Sequence, residues 1–309
     1  MVFVMVVLGG LTRLTGSGLS MVDWRPITGW LPPLTSDQWQ AVFDLYKQSP
    51  QFHHLNFDMT VVEFKSIFWL EFFHRLWGRL IGLAFALPLI FFILKGLITR
   101  SMAGPLILLF FLGAAQGVLG WYMVKSGLVN DPEVSQYRLT AHLGFAFLLY
   151  AALVWSGLYY VKGGRGNRFD LKALSLWGLS YVTILAGALV AGLDAGLTYN
   201  TFPLMDGELI PSGLHSLSPA YINHFENITT VQFQHRALAV LTFILVLIYF
   251  LTERQKKTAQ LCFLLVTLQV GLGIATLLMH VPIWLASLHQ AMGLMFFTSL
   301  TWLNFETRR

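Results

Sequence analysis

Four ionisable side chains, Glu71, His74, Arg75 and Arg79, open the otherwise apolar stretch FWLEFFHRLWGRLIG at 68–82. Ionisable groups are expensive inside a membrane helix and are kept there where they bind or react. Histidine ligates metals and carries protons near neutral pH, and a carboxylate three residues away shares its helix face. The segment FQHRALAVL at 233–241 answers to FFHRLWGRL at 72–80, with His235 and Arg236 in place of His74 and Arg75.

Two further histidines complete the set. His142 and His289 stand near the starts of apolar runs, as His74 and His235 do, which puts all four at similar depth. His53, His54, His215 and His224 fall in polar connections and His280 closes a span, so these five read as surface or interfacial residues. A lone intramembrane histidine reads equally well as a packed, hydrogen-bonded contact between helices. Two pairs at equivalent places point to ligation, and two histidines from facing helices of a bundle can hold a haem iron from both sides. Zinc would ask for three or four ligands, and no cysteine or clustered carboxylate accompanies either pair.

Four residues after each histidine comes a small residue, Gly78, Ala146, Ala239 and Gly293, on the same helix face. A flat porphyrin can lie against such a patch, although small residues also serve helix packing in membranes. Arg75, Arg79, Arg138 and Arg236 near the same helix ends are candidate partners for anionic propionates; snorkelling to headgroups is the plain alternative. Symmetry breaks at Glu71, whose counterpart before His235 is Gln232. A buried carboxylate needs a partner or a task. Either Glu71 pairs with Arg75 or Arg79, or it transfers protons beside a bound haem.

The elements that carry these residues follow from composition. Of 309 residues, 56% are hydrophobic and 11% charged, and mean hydropathy is +0.64; soluble domains carry about 25% charged residues. Eight spans are expected, at roughly 1–12, 66–94, 102–124, 138–161, 171–193, 230–252, 258–280 and 282–303. The first is short for a bilayer core of about 30 Å, which suggests that the start of this helix is missing.

Lys95, Arg100, Lys162, Arg165, Arg168, Lys172, Arg254, Lys256, Lys257, Arg308 and Arg309 fall on one side of these spans, and the loop 194–228 has no lysine or arginine. The positive-inside rule then places both termini in the cytoplasm and the loops 13–65 and 194–229 outside. The net charge of +5 follows from that bias and indicates no nucleic-acid partner. One cysteine, Cys262, excludes an internal disulfide.

The chain also repeats itself. GGLTRLTGSGLSMVDWRPITG (9–29) resembles GALVAGLDAGLTYNTFPLMDG (187–207), QGVLG (116–120) answers to QVGLG (269–273), and LTAHLG (139–144) answers to LASLHQ (285–290). The blocks recur in one order. The fold expected is an all-α polytopic membrane protein whose eight transmembrane helices form two pseudo-symmetric parallel four-helix bundles, 1–165 and 166–309.

GGLTRLTGSGLSMVDW (9–24), DMTVVEFKSIFWLEFFHRLWGRLIG (58–82), QGVLGWYMVKSGL (116–128) and GLDAGLTYNTFPLMDG (192–207) together resemble the heme A synthase family, with a long first outer loop like the proteobacterial and mitochondrial branch. The resemblance implies oxidation of a methyl group of heme O to a formyl group, by successive hydroxylation with water-derived oxygen. It implies that His74 and His142 flank the substrate heme in the N-terminal half, with Glu71 as the catalytic carboxylate. His235 and His289 would then hold a resident haem b that relays electrons to an acceptor.

Its implied partners are membrane lipid, heme O synthase and cytochrome oxidase assembly factors. Its implied location is the bacterial cytoplasmic (inner) membrane, with the mitochondrial inner membrane left open as the alternative. The cysteine pair that some members carry in the first outer loop is absent from 13–65. A bis-histidine two-haem electron carrier without hydroxylation chemistry is the alternative function. A transporter would place its charges near the midplane, and a di-iron hydroxylase would need several E-x-x-H pairs, of which 71–74 is the only one.

Overall fold

Apolar runs of this length can satisfy their backbone polar groups within lipid only as helices or closed barrels, and the chain is helical. The computed structural model describes residues 1–25, 28–128, 133–164 and 169–308; Arg165, Arg168 and Arg309 lie outside the described residues. Its helices are α1 (Val2–Leu14), α2 (Ser36–Tyr46), α3 (Pro50–Leu55), α4 (Val61–Leu94), α5 (Arg100–Ser126), α6 (Gln136–Lys162), α7 (Leu171–Gly192), α8 (Asn223–Glu226), α9 (Ile228–Thr252), α10 (Lys257–Leu278) and α11 (Ile283–Thr307). Seven of them, α4–α7 and α9–α11, are long and apolar enough to cross a membrane, and α1 is a shorter apolar helix. The protein is a multi-pass membrane protein.

The eight expected spans fall on α1 and these seven, with one notable difference. α4 begins at Val61 rather than near 66, because a capping box starts it early. The Thr60 hydroxyl accepts from the Glu63 amide, and the Glu63 carboxylate accepts from the Thr60 amide at 2.8 Å. At 34 residues, α4 is about 51 Å long, well beyond a hydrocarbon core of about 30 Å.

The chain divides into two compact units, Met1–Arg138 and Leu139–Arg309. In the first, α1 and α5 both pack on α4, and α2 crosses its early turns. An aromatic cluster of Trp39, Phe43, Tyr46, Phe64, Phe68 and Phe72 makes that crossing. Edge-to-face pairs such as Trp39–Phe68, 5.0 Å between centroids, are worth about 0.5–1.5 kcal/mol beyond burial alone.

In the second unit α7 packs on α9, α9 on α10, α10 on α11 and α11 on α7, closing a ring. α6 joins it through Phe147 against Phe297 and Trp155 against Phe305. The ring's tight core lies at one end, where Val246, Ala259, Val266, Leu300 and Leu303 are fully enclosed. His235 and His289 stand at the other end, near the starts of α9 and α11.

Candidate functional site: two arginine clasps and a histidine-bearing bundle

Glu71 is 2% exposed and every donor around it is specific. Its Oε2 accepts from Ser20 Oγ and from the Met21 amide, both at 2.7 Å, and its Oε1 pairs with Arg75. Arg75 in turn donates to the Met21 carbonyl at 2.9 Å and the Asp23 carbonyl at 3.2 Å, with its guanidinium over Trp24. The chain reaches this position through Gly16, whose φ of 63° turns it out of α1 into the short 3-10 turn Ser17–Leu19. A positive φ is cheap for glycine.

The second unit contains the same clasp with different chemistry. Arg236 donates to the Tyr199 carbonyl at 2.7 Å and the Thr201 carbonyl at 2.8 Å. In the repeat, Tyr199 and Thr201 are the counterparts of Met21 and Asp23. Asp194, at φ 49°, occupies the place of Gly16 and starts the matching turn Ala195–Leu197. Where Glu71 accepts from an amide, Gln232 donates to the Tyr199 carbonyl at 3.2 Å.

The first clasp has an outer support. Gln51 donates to the Gly16 carbonyl at 2.7 Å and accepts from the buried Tyr46 hydroxyl at 3.0 Å, which accepts from Asn56 at 2.7 Å. Burial raises the Tyr46 hydroxyl above the ordinary tyrosine value, so it stays a donor at neutral pH. This network and the aromatic cluster tie Gly16, α2 and α3 to one another and to α4 without a disulfide.

Three of the four histidines lie against glycines of neighbouring helices. A Cβ added to Gly187 or to Gly273 would stand 2.9 Å from the His235 or the His289 ring, and one on Gly9 would stand 3.2 Å from His74. His235 Nδ1 lies 3.1 Å from the Thr183 carbonyl. A carbonyl only accepts, so the proton is on Nδ1 and Nε2 keeps its lone pair. A metal-binding histidine is commonly oriented in this way. His289 Nε2 meets the Gln269 amide at 3.3 Å, which also puts its proton on Nδ1.

α9 and α11 are opposite corners of the ring, and the two imidazoles are within electrostatic range of one another. Buried polar atoms without a hydrogen-bond partner lie at this end: Gln232 Oε1, Gln234 Nε2, Arg236 Nε and Gln269 Oε1. Such atoms are rare in folded interiors, and a bound polar group would account for them. His235 Nε2 could hold an iron, and His289 Nε2 could do so by exchanging the Gln269 amide for it. Among the described residues no cluster of three or more His, Cys, Asp or Glu exists for another metal.

Of the remaining expected site residues, His74 belongs to the first unit and His142 to the second. The arginines expected at propionates all hold backbone carbonyls. Arg79 donates to the Arg25 carbonyl at 2.8 Å, and Arg138 to the Tyr122 carbonyl at 3.0 Å while stacking on that ring. The patch beside His74 at Gly78 faces Met5, and the patch beside His289 at Gly293 faces Gln269.

The cytochrome oxidase assembly protein family COX15-CtaA matches residues 1–301. The chain belongs to this family. It is similar to the heme A synthase of Nitrosospira multiformis, 49% identical over 100% of this chain and 91% of that protein. The heme A synthase of Paramagnetospirillum magneticum is 50% identical over 98% of this chain and 89% of its own length. Heme A synthase COX15 of Homo sapiens is 47% identical over 98% of this chain and 79% of its own length.

In this COX15-CtaA member, several residues escaped sequence reasoning: Ser20, the Met21 amide, Thr183, Gln269 and the histidine-facing glycines. The glycines had a visible signal, since Gly9 and Gly187 head the two copies of the longest repeated block. Backbone donors and acceptors such as Met21 and Thr183 leave no signature in residue type.

Proposed function

We propose that the chain makes heme A by oxidising a methyl group of heme O to a formyl group. The observation that carries this is the exchange of Glu71 for Gln232 within otherwise matching clasps, in a family whose named members are heme A synthases. Each hydroxylation takes its oxygen from water and releases an electron pair and a pair of protons. A geminal diol then loses water to leave the formyl group. A carboxylate can accept such protons, and a glutamine cannot.

In this reading Glu71 is the catalytic carboxylate, and His74 and His142 flank the substrate heme. His235 and His289 hold a resident haem b, which when bound supplies one-electron transfer toward an external acceptor. Thr183 fixes the proton of His235 on Nδ1, and Gly187 and Gly273 let both rings lie close to neighbouring backbones. An arginine has several N–H donors, so Arg75, Arg79, Arg138 and Arg236 can hold a carbonyl and a propionate together.

The division into two four-helix halves, 1–165 and 166–309, is supported by the recurrence of the clasp. The lysine and arginine bias supports an orientation with both termini cytoplasmic, and the likeness to bacterial heme A synthases supports the cytoplasmic (inner) membrane as its location. Heme O synthase and cytochrome oxidase assembly factors are the partners this role would engage.

One observation favours a second reading, a two-haem electron carrier: both oxygens of Glu71 are engaged, by Ser20, Met21 and Arg75, as in a structural ion pair. Chromatography with mass detection of the haems extracted from the protein, produced in a host that supplies heme O, separates the two. Heme A or hydroxylated heme O beside haem b is the expected result. Haem b alone, from a host shown to contain heme O, would establish the carrier.

A further inference from the structure

The two oxygens of Glu71 are not equivalent. A carboxylate oxygen offers two lone pairs, and both of those on Oε2 are used, by Ser20 Oγ and the Met21 amide at 2.7 Å each. Oε1 accepts from Arg75 alone among the described residues, so it keeps one lone pair.

We infer that Ser20 is a positioning residue for the oxidation, closing Oε2 so that Oε1 is the atom that exchanges protons. This rests on the catalytic reading of Glu71. Ser20 is 2% exposed, so no water competes for its hydroxyl. Its second acceptor is the Ile67 carbonyl at 3.3 Å. When Oε1 takes a proton and the carboxyl group draws less strongly on its donors, the Ser20 hydroxyl still has a place to donate. The turn therefore tolerates both states of the acid without stranding a buried donor, which would be costly.

The second unit shows the same turn without this function. Thr198 stands at the place of Ser20, yet it makes no hydrogen bond to Gln232 among the described residues, and Gln232 reaches the Tyr199 carbonyl instead. The latch accompanies the acid and is missing where the amide replaces it. Thr198 is exposed where Ser20 is buried, so the backbone of this turn accepts a β-branched hydroxyl residue while the enclosure of the side chain differs.

The test compares Ser20→Ala, Ser20→Thr and Glu71→Gln in the full-length protein loaded with heme O, reading kcat and KM together with haem b content and thermal midpoint. Hydrogen bonds to charged groups of about 1.5–3 kcal/mol set the expected loss for Ser20→Ala at about tenfold or more in kcat. KM and haem b content should hold, the midpoint should fall only slightly, and Ser20→Thr should restore part of the rate. Unchanged kcat in Ser20→Ala, with Glu71→Gln inactive, would overturn the positioning role and leave the catalytic carboxylate standing. A rate loss that tracks lost haem b would also overturn it. Normal rates in Glu71→Gln would instead remove the catalytic reading on which the inference rests.

Discussion

The clasp at Glu71 and the clasp at Gln232 share a plan and differ in one direction of hydrogen bonding. In both, an arginine four residues on holds two carbonyls of the chain segment that follows a short 3-10 turn. In the first, the side chain before the histidine accepts from that segment; in the second, it donates to it. The backbone adapts to either, because each peptide unit offers both an N–H and a C=O. One scaffold can thus carry an ionised group in one place and a neutral one in the other without a change of fold. What differs is the ability to take up protons.

The largest expected effect comes from erasing that difference. Glu71→Gln should leave haem binding in place and lower formyl production by about a hundredfold or more, read by chromatography of extracted haems. His235→Ala should abolish the b-type absorbance of the purified protein while His74→Ala leaves it, which assigns the resident haem to one unit by optical spectroscopy.

Gly187→Ala sharpens the same assignment, since its Cβ would stand 2.9 Å from the His235 ring. Overpacking of this kind costs about 1–3 kcal/mol, and partial loss of haem b with a lowered thermal midpoint is expected. Gly271→Ala, with nothing within 4 Å, should be neutral or slightly stabilising. The smallest effect is Tyr46→Phe, which removes a hydroxyl bonded to Gln51 and Asn56. A loss of about 1 kcal/mol in stability, read as a lowered unfolding midpoint with haem b content unchanged, would show that the outer cap supports the first unit and not the second.

Much of this was readable from sequence because lipid imposes strong rules. Hydropathy placed the spans, and charges inside them stood out against it. The early start of α4 was hidden because Thr60 and Glu63 are polar and lie outside any apolar window, although their spacing is that of a capping box. The small residues Gly78 and Gly293 were visible on the histidine faces, but what they meet, Met5 and Gln269, is set by helix packing. Likewise, the glycines that touch histidines belong to other helices, a tertiary relation that helical periodicity does not reveal. The charges of the arginines suggested anionic partners. Arg75 does meet an anion in Glu71, but the targets the four arginines share are carbonyls, which every residue possesses.

That choice of target has a consequence for how the chain can vary. Met21 and Asp23 share no chemistry with Tyr199 and Thr201, yet the guanidinium groups find the same two atoms on each. A fastening addressed to the main chain is indifferent to the letters it fastens. The segments after the turns are therefore free to drift in side-chain identity, and to acquire separate surface properties in the two units, provided their paths are preserved. Substitutions at 21, 23, 199 and 201 should be borne far better than substitutions of Arg75 and Arg236, and proline at 21 would be the exception, because it removes the amide that holds Glu71.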